Sequence, residues 1–264
     1  MGKETNCLDR ILEEYKNLPQ TRAIAIGGSS ANNTSDEASD IDVYVFVSEN
    51  IPTQVRLDLT KKYSSNYEVG GEYFGAGDEF WVDEISQQLD VMFWDINWFE
   101  SSINNVWGKH YPSNGYTTCF LHTLKNFKII CDTDNWLKSL QNKLKSPYPK
   151  ELKENIIKRN MMLMKDKPFA SYYEQIEKAL AREDFVSVGH RISAFLASYF
   201  DVLFAKNEIL HPGEKRLINF AKNNCKILPK NFEEDMNELL TQPNPNTLLI
   251  LTRLVKELRI IEKN

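Results

Sequence analysis

The sequence lacks the features that mark several large classes of protein. Its four cysteines are scattered, with no Cys-x-x-Cys pair and no Cys/His cluster, so a structural zinc site is not expected. No apolar stretch approaches the length of a membrane span, and the charged amino-terminal residues contain no apolar signal core. The net charge is −5, whereas proteins that bind polynucleotide phosphates usually carry a basic surplus. These absences predict a cytoplasmic protein that binds neither a membrane nor nucleic acid.

Several common catalytic motifs are also missing. The chain has no GxxxxGK[ST] phosphate loop, no complete GxGxxG dinucleotide fingerprint, no HExxH zinc motif and no GxSxG nucleophile turn. The signatures of protein kinases are absent as well. Any chemistry of this chain must therefore come from another arrangement of side chains.

The sequence changes character near residue 146. Before it, short runs of β-branched and aromatic residues predict strands at Ala23–Ile26, Asp40–Val47, Gln88–Trp94 and Phe127–Cys131, and the glycines of 66–82 predict two short strands joined by a turn. After it, helical periodicity predicts helices at 151–165, 169–182, 185–206, 213–223, 231–241 and 247–262. We therefore predict an α+β protein, with a mixed β-sheet lobe over 1–146 followed by an all-α helical-bundle lobe over 147–264.

The most informative stretch runs from Gly28 to Asp42. Asp40 and Asp42 are two residues apart at the start of a predicted strand, so their side chains should point to the same face. Two carboxylates this close repel unless a cation lies between them, and magnesium prefers such oxygen ligands. Asp90, in an otherwise apolar strand, is the candidate third carboxylate, as a metal ligand or a general base. The alternative is a surface loop followed by a strand, with Asp90 at a sheet edge.

The Gly28-Ser29 turn before this acidic pair predicts a phosphate-binding loop. Glycine lets the backbone approach a phosphate without a Cβ in the way, and the Ser29 hydroxyl and backbone N–H groups can donate to phosphate oxygens. A helix beginning near Ser30 would add a favourable potential for an anion.

Two further residues are candidates for substrate binding. Glu79 lies in a glycine-rich stretch and would bind a hydroxyl or amine of an acceptor; the alternative is a glycine hairpin whose acids, Asp78 and Glu79, are solvated. Lys215 lies near the start of a carboxyl-terminal helix, where its charge would offset that of a leaving pyrophosphate. The alternative for Lys215 is an ordinary solvated helix start.

With Gly28-Ser29, ten further residues and then Asp40-Ile41-Asp42, the chain resembles the DNA polymerase beta-like nucleotidyltransferases, and in particular small antibiotic enzymes such as aminoglycoside and lincosamide nucleotidyltransferases. The resemblance implies a magnesium-dependent enzyme with two metal ions. It would transfer a nucleoside monophosphate, by family analogy AMP from ATP, to a hydroxyl of a small-molecule acceptor and release pyrophosphate. It assigns Asp40, Asp42 and Asp90 to metal and catalysis, and Gly28 and Ser29 to the triphosphate. Residues 31–33 read Ala-Asn-Asn where many relatives have Ala-Arg-Gly, which removes a cation near the site.

Two other functions are alternatives. One is a regulatory or antitoxin-type protein of this fold that binds or modifies a protein partner. The other is an RNA-tailing enzyme, which the overall acidity disfavours. The expected assembly is a monomer or a homodimer.

Overall fold

The computed structural model describes residues 6–28, 40–73, 75–167, 169–241 and 246–261. The chain divides into two compact units, one of Met1–Ile103 with Thr123–Ser146 and one of Asn104–His122 with Pro147–Asn264. The second unit therefore includes 104–122, which lies before the boundary expected from the sequence.

The first unit contains a six-stranded mixed sheet. Its strands are β1 Thr21–Ile26, β2 Ile41–Val47, β3 Asn66–Gly71, β4 Gly77–Val82, β5 Gln87–Asp95 and β6 Lys128–Asp132. They lie in the order β3-β4-β5-β2-β1-β6, in which β2 and β5 are parallel and every other neighbouring pair is antiparallel. This arrangement confirms the predicted α+β class and the predicted strands. It also places β5 beside β2, although about forty residues separate them in the sequence.

One face of the sheet, which we call the back face, packs against two helices to form the core of the first unit. Alternate residues of the central strands, such as Val43, Val45 and Val91, point to this face and are fully buried. Ile11 and Tyr15 of helix Cys7–Lys16 and Leu59 of helix Thr53–Thr60 complete the same cluster. The amphipathic spacing of Leu8, Ile11, Leu12 and Tyr15 accounts for the first of these helices.

The opposite face, the front face, differs between its two ends. Toward the carboxyl ends of β2 and β5 it carries a cluster of aromatic rings, which includes Phe46, Trp94, Phe99, Phe127 and Trp136. The helices that contribute to this cluster include Ile96–Ile103 and Trp136–Lys143. Toward the amino ends of β2 and β5, the front face carries acidic side chains instead.

The described part of the second unit contains helices and loops but no strand. Its helices beyond residue 146 are Lys150–Met161, Tyr172–Ala181, Phe185–Lys206, Leu217–Asn224, Phe232–Thr241 and Thr247–Ile260, which confirms the predicted helical carboxyl-terminal region. Phe185–Lys206 is central to its core, and Asp184 caps this helix by accepting a hydrogen bond from the Ser187 backbone N–H at 3.1 Å. Within the described ranges, no helix combines the length and apolar character needed to cross a membrane.

A buried carboxylate fixes residues 113–118 within the second unit. Asp201, 1% exposed, accepts hydrogen bonds from the Thr117 backbone N–H (3.0 Å), the Thr117 hydroxyl (2.6 Å) and the Asn160 side-chain amide (3.0 Å). The same amide donates to the Ser113 carbonyl. Because these groups are satisfied only when the segment is in place, they account for its inclusion in this unit.

Candidate functional site

Two of the predicted acids meet at the centre of the sheet. Asp42 of β2 and Asp90 of β5 are direct partners in the parallel register, so their side chains project from the front face side by side. Both side chains are half-buried. The Gln88 side-chain amide, on the same face of β5, donates to Asp90 Oδ1 at 2.8 Å and orients that carboxylate.

The acidic pair is part of a longer row across the sheet. Asp90 is also the register partner of Glu79 on β4, and Glu79 is the partner of Glu68 on β3. Glu68, Glu79, Asp90 and Asp42 therefore occupy one line across four adjacent strands and share the front face. We call these four residues the acidic row. Asp40, exposed and directly before β2, lies next to it in the chain.

Charge effects link the members of the row. Partial burial raises the pKa of Glu79, and the neighbouring carboxylates of Asp90, Glu68 and Asp40 raise it further. Tyr44 lies two residues after Asp42 on β2, and its pKa is raised by burial and by the charges of Asp42 and Asp90. A concentration of negative charge of this kind favours the binding of a cation.

Gly28 is in contact with the row. Its φ is +63°, a conformation that favours glycine, and a Cβ built on it would lie 1.7 Å from Asp42 Oδ2. The adjacent Gly27 N–H donates to the Asp42 carbonyl at 2.9 Å. The chain's own Asp42 carboxylate thus makes the close approach that demands glycine at position 28, and Gly28 lies directly beside Asp42.

A cavity of about 370 Å³ lies in front of the acidic row. The described residues that line it are Asp42, Glu68, Gly71, Tyr73, Gly75, Gly77, Asp78, Glu79, Asp90, Val91 and Met92. All four members of the row are among them, and none of these lining residues is a lysine or arginine. The cavity is large enough for a small ligand, and its electrostatic character is strongly negative.

The donor set of the row suits a hard divalent cation. It offers only carboxylate oxygens, and Mg²⁺ typically takes one or two of these and completes its shell with water and substrate phosphates. The Asp42 and Asp90 pair meets that requirement. Among the residues that the structure describes, no group of three or more His, Cys, Asp or Glu side chains is placed to hold a metal ion. The assignment of Asp40, Asp42 and Asp90 to metal, and the number of ions, stay predictions.

Asp78 differs sharply from its neighbour Glu79. Asp78 is 1% exposed, forms an ion pair with Arg56 and accepts a hydrogen bond from the Gly70 backbone N–H. The alternative in which both acids of this hairpin are solvated is therefore wrong for Asp78. Glu79 is exposed and lies in the row.

Two functional candidates were missed by sequence reasoning, and two predicted ones stay untested by the geometry. Glu68 and Gln88 become visible only when the strand register is known. Ser29, like the expected helix start at Ser30, lies outside the described residues. Lys215 is exposed in the second unit, just before helix Leu217–Asn224, and its contact with a triphosphate stays a prediction.

Comparison with known families identifies the sheet-bearing part of the chain. A family model described as a nucleotidyltransferase domain matches residues 8–107, the range that contains Gly28, Asp42 and the rest of the acidic row. The match confirms the resemblance to the nucleotidyltransferase superfamily. No curated protein matches the sequence significantly.

Three solved structures show distant likeness. A nucleotidyltransferase-like protein from Exiguobacterium sibiricum 255-15 is 11% identical with a TM-score of 0.46, over 96% of this chain and 72% of that one. A STING-associated c-di-GMP synthase from Capnocytophaga granulosa is 14% identical with a TM-score of 0.31, over 97% and 78%. A spectinomycin adenyltransferase from Enterococcus faecialis, solved with ATP and spectinomycin, is 14% identical with a TM-score of 0.29, over 96% and 96%. Likenesses at this level carry no argument about substrate.

Proposed function

We propose that this nucleotidyltransferase-domain protein transfers a nucleoside monophosphate, AMP from ATP, to a hydroxyl of a small-molecule acceptor and releases pyrophosphate. The observation that carries the proposal is the register of Asp42 and Asp90, which places two carboxylates side by side along the wall of a cavity, within residues that match the domain.

The residues in and around the acidic row have distinct roles in this proposal. Asp42 and Asp90, with Asp40, hold Mg²⁺, which when bound would neutralise charge on the triphosphate and polarise the α-phosphate. Gly28 and Ser29 hold the triphosphate tail beside Asp42. Gln88 fixes the orientation of Asp90.

The reaction itself is a displacement at phosphorus. The acceptor hydroxyl oxygen forms a bond to the α-phosphorus, and the bond from that phosphorus to the bridging oxygen of the β-phosphate breaks. Pyrophosphate leaves with the electron pair of the broken bond. Asp90 accepts the hydroxyl proton, since it lies at the centre of the row and faces the cavity.

The remaining acids indicate the class of acceptor. Two carboxylates suffice for one magnesium ion, whereas the row contains two more, Glu68 and Glu79. No described lysine or arginine lines the cavity to offset them. An acceptor that carries ammonium groups, such as an aminoglycoside, would supply the missing positive charge.

A direct assay tests the proposal. Purified protein is incubated with α-labelled ATP, Mg²⁺ and a panel of aminoglycosides, lincosamides and spectinomycin, and both pyrophosphate release and labelling of the acceptor are measured. The expected result is acceptor-dependent pyrophosphate release with label on the acceptor. Repeating the panel with GTP, CTP and UTP tests the choice of donor. Absence of pyrophosphate release with every donor and acceptor would contradict the proposal.

A further inference from the structure

The hairpin formed by β3 and β4 contains an irregularity at Gly70. The register between the strands shifts between Val69 and Gly71, so Gly70 has no regular partner on β4. Its φ is +85°, and its N–H donates instead to Asp78 Oδ1 at 2.8 Å. A side-chain carboxylate therefore replaces a backbone acceptor at the position where the hairpin is locally out of register.

The same carboxylate ties the hairpin to the back of the sheet. Asp78 Oδ1 also accepts a hydrogen bond from Arg56 Nη1 at 3.0 Å, and both side chains are almost entirely buried. Arg56 belongs to helix Thr53–Thr60, and its guanidinium lies over the ring of Phe93 on β5, 4.6 Å from the centroid. One ion pair thus joins this helix to three adjacent strands.

This ion pair is costly in itself. Burial raises the pKa of Asp78 although the Gly70 N–H and Arg56 both act to lower it, and Asp78 Oδ2 has no hydrogen-bond partner among the described residues. Buried ion pairs of this kind often stabilise a fold no more than apolar residues of similar volume would. The presence of the Arg56–Asp78 ion pair is therefore better explained by a role in fixing the geometry of the hairpin than by a role in stabilising the fold.

The geometry that the pair specifies is that of the front face. Successive residues of a strand point to opposite faces, so fixing Asp78 on the back face fixes Glu79 on the front. Gly71, Tyr73, Gly75 and Gly77, at and beside the turn of the hairpin, line the cavity. We propose that Arg56 and Asp78 are positioning residues, which hold the β3–β4 hairpin in the register that aligns Glu68 and Glu79 with Asp90. The expected effect of this ion pair on an acceptor rests on the proposed function, whereas its expected effect on the hairpin does not.

Fluorine NMR tests the positioning role without any need for activity. The protein is labelled with 5-fluorotryptophan. Trp81, on β4 and 42% exposed, reports on the hairpin, and Trp136, in the aromatic cluster of the same unit, serves as the internal control. Spectra and thermal melts are recorded for Asp78→Asn, Arg56→Met and Arg56→Lys. Arg10→Met, which removes an exposed ion pair with Glu84, is the matched control.

We expect the Trp81 resonance to shift or broaden in Asp78→Asn and Arg56→Met, to be partly restored in Arg56→Lys, and to stay unchanged in Arg10→Met, with Trp136 constant throughout. An unchanged Trp81 resonance in variants with a lowered melting temperature would overturn the proposal, because it would show a stabilising role alone. Should Arg56→Met fail to fold, Arg56→Lys and the near-isosteric Asp78→Asn decide the same question.

Kinetics then connect the hairpin to the acceptor. With an acceptor identified in the pyrophosphate assay, Asp78→Asn should raise the KM for that acceptor by about tenfold or more, while the KM for ATP changes by less than about twofold. Equal rises in both KM values would contradict a role specific to the hairpin wall. Inactive wild-type protein would count against the proposed transferase and would leave the fluorine result standing.

Discussion

The acidic row and Asp201 show two opposite uses of a carboxylate in one chain. Asp201 is 1% exposed and accepts three hydrogen bonds from Thr117 and Asn160, so its acceptor capacity is used within the second unit. Members of the row are half-buried or exposed and face a cavity. Burial with hydrogen bonds to protein donors indicates a structural acid, whereas alignment along a cavity wall indicates acids that bind something from outside.

The two faces of β4 repeat this contrast within two residues. Asp78 is buried against Arg56, and Glu79 faces the cavity beside Asp90. An acidic residue type therefore does not by itself indicate a structural or a binding role, and the direction of the side chain decides between them. The following variants separate the two kinds of acid.

Asp42→Asn and Asp90→Asn should have the largest effect. Each removes a charge that we propose holds the metal but leaves the volume of the side chain, so we expect transfer to fall by at least about 100-fold while the melting temperature stays close to that of the wild type. Glu49→Gln, which alters an exposed acid of the same unit outside the row, is the control and should retain full activity. Activity of Asp90→Asn within a few fold of the wild type would remove Asp90 from the mechanism.

Gly28→Ala should come next, because the added Cβ would collide with Asp42 Oδ2. We expect a loss of activity of about 100-fold from displacement of that carboxylate, together with about 1–2 kcal/mol of backbone strain. Gly213→Ala is the matched control: its φ is also positive, at +104°, but a Cβ there would contact nothing within 4 Å. Gly213→Ala should lower the free energy of unfolding measured in urea without a loss of activity. Equal losses of activity in both variants would show that the collision with Asp42 is not the cause.

Asp201 should affect stability in a pH-dependent manner. Burial raises its pKa to about 7, so in the folded state it keeps a proton that the unfolded chain loses above about pH 4. The free energy of unfolding should therefore fall as pH rises from about 4 to about 7, by at most about 1.4 kcal/mol per pH unit.

Comparison of urea unfolding at several pH values checks this dependence. Asp201→Asn should remove this part of the slope, whereas Glu177→Gln, at an exposed position of the same unit, should leave it unchanged. A slope that survives in Asp201→Asn must come from another group.

Glu79→Gln tests the class of acceptor. If Glu79 faces an ammonium group, the variant should raise the KM for a cationic acceptor by about fivefold, the size expected of an exposed ion pair, and leave the KM for ATP unchanged. Glu72→Gln lies in the same hairpin but outside the row and is the control. A similar rise in the KM for an uncharged acceptor would argue against charge recognition.

Gln88→Ala should have the smallest effect. It removes one hydrogen bond to Asp90 that water can replace, so we expect a decrease in kcat of about threefold. An unaltered kcat would mean that Gln88 does not orient Asp90.

How much of this could be predicted from the sequence depends on the range of the interactions involved. The strands and the helical carboxyl-terminal region follow from local periodicity. The register of β5 beside β2 is a long-range property, so the proximity of Asp90 to Asp42 rested on resemblance. Glu68 was missed for the same reason, since its place depends on β3 pairing with β4.

Local sequence patterns also did not identify two buried acids, Asp78 and Asp201. Asp78 and Glu79 look alike in a glycine-rich stretch, and only the direction of β4 separates them. Asp201 lies in an apolar helix, and its partner Thr117 is 84 residues away in the chain. Contacts of this kind are set by tertiary packing, which overrides what short-range patterns indicate.

The central claim is that Asp42 and Asp90 share a divalent cation with a triphosphate. A crystal of the protein grown with Mn²⁺ and a non-hydrolysable ATP analogue tests it most directly, through the anomalous signal of manganese. We predict a manganese peak within ligand distance of both carboxylates, with phosphate oxygens of the analogue on the same ion. A bound analogue with its manganese elsewhere, and no peak between Asp42 and Asp90, would contradict it.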